Sequence, residues 1–168
     1  MSDIVNKVAN SGLITLDLEQ IKPSGERVLI DIADQLVDGL ILREKEFRAY
    51  VSSHNWDQYK GKHVAIICSV DAIVPTWAYM LISSALRDHT LTIVLGNLDE
   101  LEKVVYRNAI ETLDESIYVD QRIVIKGCGQ GVPTTAYIDL MNKIRPIAKS
   151  IMYGEPCSTV PLYKKKRP

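Results

Sequence analysis

A short sequence motif that occurs twice constrains the fold of this chain more than any other feature. The motif Val-Pro-Thr-x-Ala-Tyr begins at Val74 and again at Val132, and each copy follows an apolar run, a cysteine and a short loop. The apolar runs are rich in β-branched residues, which favour strands. The proline suits the start of a helix, because its missing N–H would be unpaired there. Residues 64–81 and 123–140 are therefore predicted to be two copies of a strand, a cysteine loop and a helix.

The remaining segments support an α/β fold around this repeat. From residue 63 onward, strand-like and helix-like segments alternate as βαβαβα, which favours a sheet with right-handed crossovers. We expect an open mixed or mostly parallel sheet flanked by helices. The other predicted elements are strands at 13–18 and 91–95, a short edge strand at 117–119, and helices at 43–53, 98–113 and 133–150. Residues 26–42 fit both a strand and a helical turn, so their structure stays open.

The length of the chain favours one domain. A chain of 168 residues lies within the range of about 100–200 residues that is typical of a single domain. We expect one α/β domain over residues 1–168. Within it, residues 1–62 form an N-terminal strand and helix portion, residues 63–150 form the βαβαβα portion, and residues 151–168 form a C-terminal cysteine loop with a basic tail.

The chain contains three cysteines, Cys68, Cys128 and Cys157. The first two follow the strands of the repeat, and sites in open α/β sheets lie outside the carboxyl ends of the strands. The repeat would therefore bring these two cysteines to the same edge of one sheet. Three thiolates and one further ligand satisfy tetrahedral zinc, and thiolates also hold iron–sulfur clusters. His63 and Asp71 are candidates for the fourth ligand.

Two other interpretations of the cysteines stay open. Free cysteine often serves as a small, buried apolar residue, and Cys68 at the end of an apolar strand fits that role. Cys128 lies between glycines ahead of the helix that begins near Pro133, where a helix N-terminus lowers the pKa of a thiol. The chain is therefore a metal- or cluster-binding accessory protein, a non-catalytic adaptor with buried cysteines, or a sulfur-transfer protein that uses Cys128. Whether it is an enzyme stays open.

Charge and composition argue against several classes of partner. The 20 Lys and Arg residues nearly balance the 21 Asp and Glu residues, so no global field attracts nucleic acid or a membrane. The basic segment 164–167 is typical of a solvated chain end. The glycines at 127, 129 and 131 lack the spacing of nucleotide-binding loops, so no nucleotide cofactor is predicted. A homodimer stays open.

The N-terminus and the apolar runs predict a cytoplasmic protein. The first residues have no charged segment followed by an apolar core, so no secretory signal is predicted. No apolar run approaches the roughly 18 residues that a membrane span needs. Thiols stay reduced in the cytoplasm, which favours thiols or metal ligands over disulfides for the three cysteines.

Several segments together resemble a known family. They are Cys-Ser-Val-Asp-Ala-Ile-Val-Pro-Thr-Trp-Ala-Tyr-Met (68–80), Val-Ile-Lys-Gly-Cys (124–128), Lys-Ser-Ile-Met-Tyr-Gly-Glu-Pro-Cys-Ser-Thr-Val-Pro-Leu-Tyr (149–163) and Leu-Arg-Glu-Lys-Glu-Phe-Arg (42–48). This set is similar to the bacterial domain of unknown function family 2480, over nearly the whole chain. The resemblance supplies no catalytic residues. Genes of that family often lie near genes for iron–sulfur cluster assembly, so the resemblance implies a role in cluster assembly, sulfur delivery or metal handling, with assembly proteins as partners.

Overall fold

The strands of this chain form two separate sheets in the computed structural model, which describes residues 12–127, 129–155 and 158–166. The sheets belong to two compact units. The central unit comprises residues 24–105, and the terminal unit comprises residues 1–23 together with residues 106–168. The single domain expected over the whole chain stays a prediction, and each unit is described below by itself.

The central unit contains a three-stranded parallel sheet with the strand order β2-β3-β4. Its strands are β2 (Arg27–Asp31), β3 (His63–Ile67) and β4 (Thr92–Leu95), and its helices are α2 (Glu44–Ser53) and α3 (Thr76–Leu86). The open stretch at 26–42 therefore holds β2, followed by a short 3-10 turn at Ala33–Gln35 and a loop.

The terminal unit contains a four-stranded sheet with the order β1-β5-β6-β7, in which only β7 is antiparallel to its neighbour. Its strands are β1 (Leu13–Leu16), β5 (Arg122–Ile125), β6 (Ser150–Glu155) and β7 (Ser158–Lys164), and its helices are α1 (Leu18–Ile21) and α5 (Thr134–Ile144). The remaining helix, α4 (Leu98–Glu111), contains the boundary between the two units.

The repeated motif builds the same helix in each unit. Pro75 and Pro133 immediately precede α3 and α5, and both have extended backbone angles. The helices then bury side chains at the same spacing of four residues, which places them on one face. The buried residues are Ala78, Ile82 and Leu86 in α3, and Ala136, Leu140 and Ile144 in α5.

The duplication extends beyond the sequence repeat to three strands of each sheet. In both units the middle strand pairs in parallel with an earlier strand on one side and with the strand after the repeated helix on the other. The residue rows at the start of these strands are Arg27, His63 and Thr92 in the central unit, and Leu13, Arg122 and Ser150 in the terminal unit. Each unit is therefore one copy of a strand–strand–helix–strand module.

The mixed α/β class with mostly parallel strands and flanking helices is confirmed. The expectation that both repeat strands share one sheet is wrong, because β3 and β5 lie in different sheets. The predicted last helix stops at Ile144, two residues before Pro146, because proline has no N–H to continue the helical hydrogen bonds. The predicted edge strand at 117–119 overlaps a 3-10 turn at Glu115–Tyr118. No helix in the described ranges is long and apolar enough to cross a membrane.

The packing of α5 yields a test with a matched control. Leu140 is fully buried and Ile138 on the same helix is 59% exposed. We expect Leu140→Ala to lower the free energy of unfolding by about 2–5 kcal/mol, because it removes buried methyl groups and leaves a cavity. Ile138→Ala should change it by less than about 0.5 kcal/mol. Urea unfolding followed by circular dichroism measures both, and equal losses would contradict this assignment of the buried face.

Candidate functional site

A cluster of polar side chains lies at the carboxyl end of the parallel strands in the terminal unit. Asp17 directly follows β1 and caps α1, where its Oδ1 accepts a hydrogen bond of 2.9 Å from the Glu19 backbone N–H. Its other oxygen, Oδ2, lies 3.1 Å from Nζ of Lys126, which directly follows β5. The Asp17 side chain is only 10% exposed, so this ion pair is partly shielded from water.

Lys126 carries a firmly held positive charge. Its hydrogen bond to Asp17 is the main cause that raises the pKa of the ammonium group above its usual value, and the charge of Asp17 adds to that effect. The carboxylates of Glu155 and Glu19 also contribute. Lys126 therefore stays protonated throughout the neutral range, and the Asp17 carboxylate balances its charge.

Two tyrosines form the wall of the cluster. Tyr137 comes from the repeated motif on α5 and Tyr153 from β6, and their rings meet edge to face with centroids 5.8 Å apart. Burial is the main cause that raises the pKa of the Tyr137 phenol, while a hydrogen bond with the Gly129 backbone lowers it. The phenol therefore remains a neutral hydroxyl at neutral pH.

The glycines after β5 let the backbone pass close to these tyrosines. A Cβ atom at Gly127 would lie 3.1 Å from the hydroxyl oxygen of Tyr153, and one at Gly129 would lie 2.9 Å from that of Tyr137. The backbone N–H of Gln130 also donates a hydrogen bond of 2.6 Å to the Glu19 carboxylate. Close packing against side chains thus explains the glycines at both positions.

The central unit carries a counterpart of this cluster. Asp31 ends β2 and accepts hydrogen bonds from the backbone N–H groups of Ala33, at 2.9 Å, and Ser69, at 3.1 Å. The Ser69 side chain is the main cause that lowers the pKa of Asp31. Burial is the main cause that raises the pKa of Tyr79, which occupies the motif position of Tyr137. Ile67 stands where the terminal unit has Lys126, so this copy lacks the cation.

Of the two predicted fourth ligands, Asp71 shares the loop of Cys68, and His63 lies at the opposite end of β3. The half-buried thiol of Cys68 directly follows β3 and donates a hydrogen bond of 3.5 Å to the Val70 carbonyl. Asp71 is exposed in the same loop. His63 begins β3, so it lies about 16 Å from Cys68 at roughly 3.3 Å per strand residue.

The His63 ring serves a structural role within the sheet. The side chain is buried, and its two ring nitrogens lie 3.0 Å from the Thr92 hydroxyl and 2.9 Å from the Ser24 carbonyl. Cys128 and Cys157 lie outside the described residues. Among the residues that are described, no three His, Cys, Asp or Glu side chains are grouped to hold a metal ion.

Asp17, Lys126 and Tyr153 are site residues that sequence reasoning missed. The available signal was an aspartate between two apolar residues at the end of each first strand, as in Leu16-Asp17-Leu18 and Ile30-Asp31-Ile32. The apolar neighbours of each aspartate are buried. A charged residue between two buried ones lies at the rim of the core.

Comparison with known proteins gives one match. A family model with the description "Protein of unknown function (DUF2480)" matches residues 2–165, which is nearly the whole chain. That description names no activity and no link to iron–sulfur assembly. Neither the curated proteins nor the solved structures contain a significant match.

The ion pair in the cluster predicts a shift that can be measured. We expect Asp17→Asn to lower the pKa of Lys126, because the substitution removes the main group that raises it. The matched control is Asp31→Asn, which changes the corresponding aspartate of the central unit and should leave Lys126 unaffected. NMR titration of labelled lysine side chains measures both variants. A Lys126 pKa that stays unchanged in Asp17→Asn would contradict the pairing.

Proposed function

We propose that this chain, which belongs to the DUF2480 family of proteins of unknown function, binds a metal ion or iron–sulfur cluster through cysteine thiolates. The proposed ligands are Cys128 and Cys157, and zinc or an iron–sulfur cluster is the expected occupant because thiolates suit both. In this role the chain acts as an accessory protein in metal or cluster handling, with iron–sulfur assembly proteins as its proposed partners.

The observation that carries this proposal is the close approach of Gly127 to Tyr153. Gly127 immediately precedes Cys128 and lies at the end of β5, against a residue of the neighbouring strand β6. The chain then passes from Glu155 at the end of β6 to Ser158 at the start of β7, and Cys157 falls between them. Neighbouring strands are about 4.8 Å apart. The described residues that flank the two cysteines therefore lie at the same end of the sheet, where the parallel strands β5 and β6 finish.

The donor groups at this end of the sheet suit a metal that prefers sulfur. Two thiolates leave a tetrahedral metal two further positions to fill. Carboxylates at the same end of the sheet, Glu19 and Glu155, or water can occupy them. Cys68 belongs to the central unit. The Cys68→Ser variant tests whether it is the third thiolate ligand.

Metal analysis of protein purified without oxygen tests the proposal. We expect close to one equivalent of zinc, or iron with acid-labile sulfide, in the wild-type chain. Cys128→Ser and Cys157→Ser should each lose most of it, because two thiolates are needed to hold the metal. If Cys68→Ser retains the metal, the site belongs to the terminal unit. If this variant loses the metal, all three cysteines are ligands. A metal-free wild-type chain would reject the proposal.

Thiol chemistry at Cys128 is a second candidate, and the charge of Lys126 favours it. Lys126 lies two residues before Cys128 in the sequence, and its raised pKa keeps it positively charged at neutral pH. A nearby cation lowers the pKa of a thiol and increases the thiolate fraction. Such a thiolate could accept sulfur from a persulfide donor and pass it to an acceptor thiol.

The rate of alkylation at Cys128, followed against pH, tests this candidate. We expect a thiol pKa below the ordinary value of about 8.5, and a higher value in Lys126→Met, because that variant removes the cation. Cys68 provides an internal reference, since Ile67 replaces the lysine there. An ordinary pKa in the wild-type chain would reject sulfur transfer. Together with a metal-free chain, that result would favour the non-catalytic adaptor.

A further inference from the structure

The two copies of the module differ at the outer edge of their last parallel strand. In the terminal unit, β6 is covered by the antiparallel strand β7 along its whole length. In the central unit the corresponding strand is β4, which pairs with β3 on one side. No other strand within the described ranges pairs with β4. The central unit therefore has an open sheet edge where its counterpart has a strand.

The strand β7 also completes the packing of the terminal unit. Tyr163 on β7 lies opposite Ile151 on β6 and packs against the core. The guanidinium carbon of Arg145, at the end of α5, lies 5.0 Å from the centre of the Tyr163 ring. One aromatic side chain on the added strand thus fills the space between the end of the helix and the last parallel strand.

The central unit has an unfilled groove at the same place. The groove has a volume of about 770 Å³, and its lining residues include Ile66, Met80, Arg87, Ile93 and Leu95. Counted from the repeated motif, Arg87 and Ile93 are the counterparts of Arg145 and Ile151. The groove is therefore the position that Tyr163 occupies in the terminal unit, and Met80 and Leu95 on its rim are 66% and 62% exposed.

We propose that a second copy of this chain occupies this groove through its own β4. A two-fold axis perpendicular to the sheet makes the two β4 strands antiparallel, which is the orientation of β7 on β6. Pairing centred on Val94 would set Leu95 of one copy opposite Ile93 of the other. Directly opposed residues point to the same face of the sheet, so each Leu95 would enter the partner's groove in the place of Tyr163.

The charges around the groove fit a self-complementary contact. Arg87 and Asp88 are both exposed at its rim, and neither forms an ion pair with any other described residue. A two-fold axis presents the same surface from both partners, so each copy offers a positive and a negative group to the other. The resulting dimer would contain one continuous six-stranded sheet.

Analytical ultracentrifugation of the full chain over a concentration series tests this dimer. We expect the wild-type chain to sediment as a dimer, and Met80→Glu to raise the dissociation constant by about tenfold or more, because an unpaired charge would be buried in the contact. Ile138→Glu is the matched control, since Ile138 is 59% exposed, close to the 66% of Met80, and holds the same position on α5. It should leave the dissociation constant unchanged.

Amide hydrogen exchange locates the contact independently of any variant. We expect the amides of Ile93 and Leu95, which point away from β3, to be protected in the dimer and to exchange faster on dilution to the monomer. A monomeric wild-type chain would overturn the proposal, as would a dimer in which Met80→Glu and Ile138→Glu behave alike. A dimer without concentration-dependent protection in β4 would also overturn it. None of these outcomes depends on metal content, so the two proposals can fail separately.

Discussion

The packing of one helix face against parallel strands is the interaction on which both halves of this protein depend. In each unit the face begins with an alanine, Ala78 or Ala136, that has no exposed surface. The small side chain allows close packing at the first turn of the helix, and larger buried apolar residues follow one and two turns later. The loop before each helix joins this packed face to the strand end where the polar residues lie.

The aspartates at the strand ends show how the same framework serves different local chemistry. Asp17 and Asp31 both accept a backbone hydrogen bond from two residues later, which satisfies an otherwise unpaired donor where the chain turns. The second interaction differs between the units. Asp17 pairs with Lys126, whereas Asp31 binds the Ser69 loop. The structural role is shared, and the cation is added in one copy only.

The repeated motif made the module predictable from sequence, because proline, β-branched runs and helical spacing act locally. The number of sheets was not predictable in the same way. Parallel pairing joins residues far apart in the chain, such as Leu13 with Arg122, and β-branched composition carries no information on which strands become neighbours. The strands β6 and β7 were missed because polar and proline residues interrupt their apolar pattern, including Pro161 within β7. Antiparallel edge strands tolerate such residues. The Asp17–Lys126 pair was missed for the same reason as the sheets, since its partners are brought together only by long-range strand pairing.

The differences between the two copies carry more functional information than their similarities. Each copy satisfies its core with the same buried positions, so residues that differ at equivalent exposed or rim positions are not dictated by the fold. One such difference is Lys126, whose counterpart in the central unit is Ile67. It adds a charge at the carboxyl end of the strands in the terminal unit only. The second is the strand β7, which closes the terminal unit and leaves the equivalent edge of the central unit open. An open parallel edge with exposed apolar side chains favours association with another strand. The central unit has this open edge although the terminal unit has the same edge covered by β7. The difference favours a role for the open edge in assembly, while the terminal unit carries the polar site.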